Sequence, residues 1–559
     1  MPSLPIAFRS ALAAGALALL TVPGSALAET ARPADSFVDS VGVNVHMSYN
    51  DTPYGDQARV ADRLAELGVR HVRDGVVPGR PDQWAALEAL GRRGIRSTLI
   101  AGRPDIDLPR LTATLRDQLS GSVEAVEGTN EYDASGDPNW PSDLRAFQSR
   151  LYAAVKGDPA LRHLPVVGPS FIYADSRARL GDVSASLDYG NMHSYPGGWA
   201  PESNVASELA LAASNSAAKP VQATETGYHN ATASSSGHLP ASEDAAGTYV
   251  PRLFLEYFRQ GVARTFSYEL IDEFHDPEAT NSEARFGLLH RDFSPKPSFE
   301  SLRRLNALLA DPGPSFDPGR LDYRLEGQTA GTRSLLLRKR DGRFYLVIWQ
   351  NATVWDAGAR VPMPVRERAV TVNFADPIGM ARTFRPVLSA DVQGTTERVR
   401  RLPVDVTADP KVIELTPGRQ ASDESERVAP VITAARLAPT DVFKIRPGRS
   451  MRPLQLLFDL SEDARVRVTV ERRLAGRRVR GTCRAASAQN RRGRRCGIRA
   501  VVSDELVKRG SRGSNLLRFR GRAAGRPLAA GSYRLALTAI DPVGNVSTAR
   551  RVPFEVKAG

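Results

Sequence analysis

Residues 123–155 read VEAVEGTNEYDASGDPNWPSDLRAFQSRLYAAV: a short β-rich run over 123–131, a turn-forming stretch, then a helical pattern over 142–155. The same unit recurs on both sides. β-rich runs occupy 41–47, 69–74, 95–101, 165–171, 187–195, 220–226 and 263–270. Helical patterns lie between them, for example at 56–67, 82–93 and 243–260, with apolar residues every three or four positions, as at Val60, Leu64 and Leu67. Eight strand–helix units predict an α/β fold, a (β/α)₈ TIM barrel over residues 29–313. A doubly wound sheet would carry a Gly-rich fingerprint after its first strand, and Gly42-Val43-Asn44 is not one.

Outward from the barrel the pattern changes. Residues 314–417 lack helical periodicity and read as strands (335–339, 344–349, 369–374, 412–416), with the hairpin signal Asp341-Gly342 between the first two. A β-sandwich is expected there. Residues 418–430 are polar and charged and suit a linker. Short strands at 454–460, 465–471 and 533–540 then predict a second sandwich over 431–559, similar to the immunoglobulin-like and fibronectin-like modules of secreted bacterial enzymes. At the other end, residues 1–28 have the form of a secretory signal: Arg9, an apolar run over 11–22, and Ala26-Leu27-Ala28 as the cleavage site. A secreted, extracellular bacterial protein without a membrane span is the expectation.

Composition narrows the function classes. Of 559 residues 42% are hydrophobic and 25% charged, which is globular usage. Two cysteines exclude a Cys-rich zinc fold, and in an exported protein a Cys483–Cys496 disulfide is expected, worth roughly 3 kcal/mol for its short loop. The net charge of +13 invites a nucleic-acid reading, but residues 431–559 hold 29 Lys and Arg against 9 Asp and Glu, so the rest of the chain is mildly acidic. Only 8 of the 75 basic residues are Lys, a skew that codon usage explains. The basic runs Arg472-Arg473, Arg477-Arg478 and Arg491-Arg492 are read as falling between strands and lack interleaved aromatics, so no nucleic-acid partner is expected. The module is read as a spacer or as a weak binder of anionic cell-wall polymer.

In a barrel of this kind, strand C-termini form the site. Strand 2 ends in Arg73-Asp74, strand 4 in Asn130-Glu131, strand 6 in His193-Ser194-Tyr195 and strand 7 in Thr224-Glu225-Thr226. Two carboxylates on separate strand ends are the minimum for glycosidic cleavage: one protonates the leaving oxygen, the other attacks the anomeric carbon or activates water. There is no HExxH, and no GxSxG with a credible triad.

Asn130-Glu131 and Glu225, with Arg73, His193 and Tyr195, resemble the site of clan A glycoside hydrolases, the retaining TIM-barrel enzymes, with families 5 and 39 the nearest. The run Phe286-Gly287-Leu288-Leu289 with Lys296-Pro297 is similar to the end of such a barrel. The resemblance covers about half the chain and implies Glu131 as acid/base and Glu225 as nucleophile. It also implies that Arg73 and Tyr195 help to keep Glu225 ionised, that Asn130 donates to a sugar hydroxyl, and that no metal or organic cofactor takes part. Where the clan keeps a strand-8 Trp, this chain has Tyr268, which stands in for the sugar platform or leaves it missing. Glu269, Asp272 and Glu273 could bind sugar hydroxyls, but they are read first as solvated or capping acids. Trp140 and Trp199 could stack on sugar or pack on the barrel rim, and His46 could bind sugar or be structural. Glu127 is read as a partner of the site or a buried ion-paired acid. The expectation is a secreted retaining glycosidase on a β-linked polysaccharide or oligosaccharide. Two rivals stand beside it: an exo-acting glycosidase, for instance on a furanoside, and a non-catalytic carbohydrate-binding or adhesion protein on a barrel scaffold. The last requires the two glutamates to lie far apart or away from any cleft.

Overall fold

The computed structural model describes residues 27–217, 219–418, 429–445, 453–479, 481–503, 506–523, 526–541 and 544–558. Most of the expected signal segment and most of the expected linker lie outside the described residues.

The barrel forms as the strand–helix repeat requires. Its eight parallel strands are Val41–Asn44, His71–Gly75, Arg96–Ile100, Val123–Glu127, Val166–Val167, Gly190–His193, Val221–Thr226 and Thr265–Ser267. The eighth pairs with the first, Thr265 beside Val41. The ring closes between the fifth and sixth through a Val167–Tyr189 bridge and the Gly168 N–H, which donates to the Tyr189 carbonyl at 2.8 Å. Alternation along these strands turns Val43, Val72 and Leu99 outward into the core shared with the helices, and Asn44, Arg73 and Thr98 into the ring. The helices carry local start and stop signals. Asp56 accepts from the Arg59 N–H at the start of Gln57–Leu67, and Gly68 ends that helix at φ 77°, a left-handed conformation that costs glycine nothing. Ser242 and Gly261 do the same for Glu243–Gln260.

The next segment shares one compact unit with the barrel, ending at Gly418. Its principal sheet contains Arg320–Glu326, Thr332–Arg338, Phe344–Gln350, Arg368–Phe384, Val392–Val406 and Lys411–Pro417. Alternation divides Thr332–Arg338 and Phe344–Gln350 between two cores. Leu335, Leu337, Val347 and Trp349 join the barrel core, whereas Leu336, Leu346 and Ile348 pack with Val370, Val372 and Val404 to form the inside of the sandwich. Two further strands come from the N-terminal end of the described chain: Leu27–Thr30 pairs with Arg320–Glu326 and Arg32–Pro33 with Thr332–Arg338. Residues 29–33, read as the start of the barrel, therefore belong to the sandwich.

The second unit is a sandwich of its own. Ile432–Ala438, Leu454–Leu460 and Gly513–Phe519 form one sheet, and Val442–Ile445, Arg550–Ala558, Gly531–Ile540 and Ala464–Val479 the spine of the other. Leu456, Phe458, Val466, Leu535 and Phe554 fill the space between. Cys483 and Cys496 are joined, with Cα atoms 6.1 Å apart, linking Thr482–Ala485 to Arg495–Val501, which both pair with Ala464–Val479. One expectation is corrected: Arg472, Arg473, Arg477 and Arg478 lie within the long strand Ala464–Val479, not between strands. Among the described residues no helix is long and apolar enough to cross a membrane.

Candidate active site

A cavity of about 590 Å³ opens at the C-terminal ends of the barrel strands, and Arg73, Asn130, Glu131, His193, Tyr195 and Glu225 all line it. That volume lies within the ordinary range for small-ligand sites. The site is organised around one buried guanidinium. Arg73, from the second strand, is 2% exposed. Its Nε and Nη2 donate to the Glu127 carboxylate at 2.6 and 2.8 Å, its Nη1 to Glu225 Oε1 at 2.6 Å and Asn44 Oδ1 at 3.0 Å, and its Nη2 also to Asn130 Oδ1 at 2.6 Å. All five N–H donors point at anionic or amide oxygen. Glu127 is the fully buried, ion-paired acid, and Asn191 and Thr224 also donate to its Oε1.

Glu225 ends the seventh strand. Besides Arg73 it accepts from the Tyr195 hydroxyl at 2.7 Å, and His193 Nδ1 lies 3.4 Å from its Oε2. Burial pushes its carboxyl up, but the charges on His193 and Arg73 and the hydrogen bonds from Tyr195 and Arg73 outweigh burial and hold it below the ordinary carboxylate range. Glu225 is an anion held ready.

Glu131 is arranged differently. The fourth strand ends at Glu127, and Glu131 sits beyond it at φ 47°, ψ 39°, a left-handed conformation rare outside glycine. Its N–H donates to Ser170 Oγ at 3.2 Å. Its Oε1 lies 2.6 Å from His193 Nδ1, within hydrogen-bond distance, while the other ring nitrogen of His193 meets Thr224 Oγ1 at 3.1 Å. The side chain keeps 25% exposure, so one edge of the carboxyl remains open to a ligand. Carboxylate oxygens of Glu131 and Glu225 and a ring nitrogen of His193 all lie within 4.8 Å of one another.

The remaining expected residues divide. Asn130 has its oxygen engaged by Arg73 and Ser170, leaving the amide nitrogen to donate to a ligand. Tyr268 lines the cavity and meets Phe286 edge-on at 5.4 Å, in a wall completed by Tyr195 and by His238 stacked on Phe286. His46 lines the cavity from the first strand's end. Trp140 does not reach it: at 2% exposure it packs with Leu144, Phe171 and Leu180 under the Arg179 guanidinium, so the sugar-stacking reading of Trp140 is corrected to rim packing. Trp199 is 47% exposed and is not among the residues that line this cavity.

The acids after the eighth strand overturn the expectation of solvated groups, since Glu269, Asp272 and Glu273 are all buried. Asp272 is paired with Lys296 at 2.8 Å and accepts from the Gly287 N–H, so it secures the loop. Among the described residues Glu269 and Glu273 have no such cation: they face His46 Nε2 at 3.4 and 3.5 Å. Burial, with the neighbouring charge of Glu273, drives the Glu269 carboxyl well above its ordinary range. Burial pushes Glu273 up to about 7 and His46 down to about 4.

Sequence reasoning passed over Asn44, Asp74, Glu283 and His238, which also line the cavity. Asp74 accepts from the Met47 and Gly75 N–H groups, yet burial pushes it up to about 7. Placement at a strand end was the signal available for Asp74 and for Asn44, which closes Val41–Asn44; no local pattern marks Glu283 or His238.

No protein-family model and no curated protein matches the chain. Several solved structures are similar in fold. A family 39 glycoside hydrolase from Bacteroides cellulosilyticus WH2 shares 16% identity over 69% of this chain and 81% of its own, with a TM-score of 0.49. A monomeric β-xylosidase from Caulobacter crescentus CB15 shares 15% over 70% and 98%, with a TM-score of 0.45. A glucosidase from Croceicoccus marinus shares 13% over 64% and 92%, also at 0.45. At identities this low, what the chain does has to be read from its own side chains.

Proposed function

We propose that the chain is a retaining glycoside hydrolase in which Glu225 is the nucleophile and Glu131 the acid/base. What carries the reading is the approach of their carboxylate oxygens to within 4.8 Å in a cavity at the barrel mouth. Retaining enzymes hold the two carboxyls about 5–5.5 Å apart, whereas inverting ones leave about 6.5–9.5 Å for a water. The non-catalytic adhesion reading needs the two groups apart or outside a cleft, and they are neither.

In the first step a Glu225 oxygen forms a bond to the anomeric carbon as the glycosidic C–O bond breaks, and the departing oxygen takes the proton of the Glu131 carboxyl. In the second, Glu131 takes a proton from water, the water oxygen bonds to the anomeric carbon, and the Glu225 ester breaks. Arg73 and Tyr195 fit both steps: they stabilise Glu225 as an anion before attack and as a leaving group afterwards. Asn130 is placed to donate to the hydroxyl next to the reacting carbon. The substrate class follows the resemblance of the strand-end motifs: a β-linked polysaccharide or oligosaccharide, met outside the cell after export.

The test is a panel of aryl β-glycosides with β-glucan, mannan, xylan and galactan, run on wild type and Glu225→Gln side by side. Turnover that collapses in the variant supports the reading and names the sugar. Equal turnover by both proteins removes Glu225 from the nucleophile's role.

A further inference from the structure

His46, Glu269 and Glu273 form a second acid–histidine cluster that the hydrolytic steps do not use. Pairing of the first and eighth strands brings them together: His46 follows Val41–Asn44, and the two glutamates follow Thr265–Ser267. Among the described residues, His46 Nε2, Glu269 Oε1 and Glu273 Oε1 are buried and have no hydrogen-bond partner. The Glu269 side chain is fully buried and that of Glu273 nearly so. One ligand atom from each of the three lies within 4.8 Å of the others, the two carboxyls are within hydrogen-bond reach of each other, and with no Arg or Lys in contact among the described residues the pair is costly to ionise.

The spacing says what would satisfy them. His46 Nε2 lies 3.4 Å from Glu269 Oε2 and 3.5 Å from Glu273 Oε1. Donors bound about 2.1 Å from a tetrahedral zinc ion lie about 3.4 Å from one another. An imidazole among the donors disfavours calcium and magnesium, which take oxygen ligands. The surroundings are those of a held ligand set. The Tyr54 hydroxyl donates to Glu269 Oε2 at 2.9 Å and accepts from the Ile271 N–H at 3.2 Å, and the Tyr49 ring stacks on His46 at 4.7 Å. Such outer contacts fix the orientation of metal ligands.

We propose that His46, Glu269 and Glu273 form a binding site for a zinc-class divalent cation, with a fourth position reached from the cavity through His46. The ion neutralises the two buried carboxylates and presents its open position to water or to a hydroxyl of a bound sugar. The site stands whether or not the chain cleaves glycosides.

The experiment is metal analysis and zinc titration of the full chain after chelator treatment and dialysis, with circular dichroism confirming that each variant is folded. Wild type and Glu131→Gln are expected to bind one zinc per chain. In Glu273→Gln and His46→Gln the affinity falls at least about 100-fold, and in Tyr54→Phe about 10- to 100-fold with the stoichiometry kept. Cobalt bound to the wild type should give the intense visible bands of a four-coordinate ion, absent in Glu273→Gln. The proposal is overturned if the wild type takes up no zinc, or if zinc persists in folded Glu273→Gln. It is equally overturned if Glu131→Gln is the variant that loses the ion, since the metal would then belong between the catalytic glutamates.

Discussion

Two groups of two glutamates and one histidine stand side by side at the mouth of this barrel, and they behave in opposite ways. In Glu131–His193–Glu225 the nucleophile is held below the ordinary carboxylate range, whereas in His46–Glu269–Glu273 both carboxyls are driven above it. Burial pushes these three carboxyls, Glu225, Glu269 and Glu273, in one direction. The difference is the company they keep. Arg73 and Tyr195 donate directly to Glu225, and His193 lies beside it, while the second cluster has neither arginine nor lysine in contact with its carboxylates among the described residues. Residue types alone therefore do not define a reactive pair of acids; the buried cation beside one of them does.

The largest effect should come from the nucleophile itself. Glu225→Gln keeps the shape and removes the attacking anion, so kcat on an aryl glycoside should fall by at least about 10⁴-fold. Glu131→Gln should cost about 10²- to 10⁴-fold, with the smaller loss on substrates whose leaving group needs no protonation. Steady-state rates on two leaving groups of different acidity check both expectations.

Removing the cation comes next. Arg73→Met leaves Glu127 and Glu225 buried without their partner, at a cost of about 3–5 kcal/mol in unfolding free energy, readable by denaturant titration. It should also move the acid limb of the pH–rate profile upwards, because Glu225 would no longer be held down. The sign for stability follows. Folding lowers the Glu225 pKa, so its contribution to stability is present above the unfolded value of about 4.3 and is lost as pH falls through the folded value. Arg73→Met should lose that contribution at neutral pH.

Tyr195→Phe removes one hydrogen bond to the same carboxylate, worth about 1.5–3 kcal/mol for a charged acceptor. The acid limb should again rise, by less than in Arg73→Met. Smallest of all, Glu273→Gln should leave that limb nearly unmoved, because His193, Arg73 and Tyr195 are the groups that hold Glu225 down and the second cluster meets its charge only at His46. A shift equal to that of Tyr195→Phe would show that the two clusters act as one and would remove the distinction drawn between them.

Much of this arrangement was legible in the sequence. The eight strands were readable because each apolar run is short and followed by a helix-period pattern, and Glu243–Gln260 carries a Ser cap at one end and a Gly at the other. Glu131, Glu225, Arg73, His193 and Tyr195 were readable because strand ends in a barrel converge on one face. What stayed hidden depends on contacts remote in sequence. In the long strand Val392–Val406, residues 392–398 are exposed throughout, with no alternation to mark them. Trp140 faces inward because Phe171 and Leu180 meet it there, which helical period alone does not specify. Glu269 and Glu273 look like surface acids in any window of sequence, and only the pairing of the first and eighth strands encloses them against His46 and Tyr54.

The central claim is that Glu225 attacks carbon. The most direct measurement is proton NMR of the first sugar released from an aryl β-glycoside that the panel shows to be cleaved, coupled to peptide mapping after a 2-deoxy-2-fluoro analogue of the same sugar. The account predicts a product that appears first as the β-anomer and a glycosyl label on Glu225. A product that appears first as the α-anomer, or a label on any other residue, would contradict it.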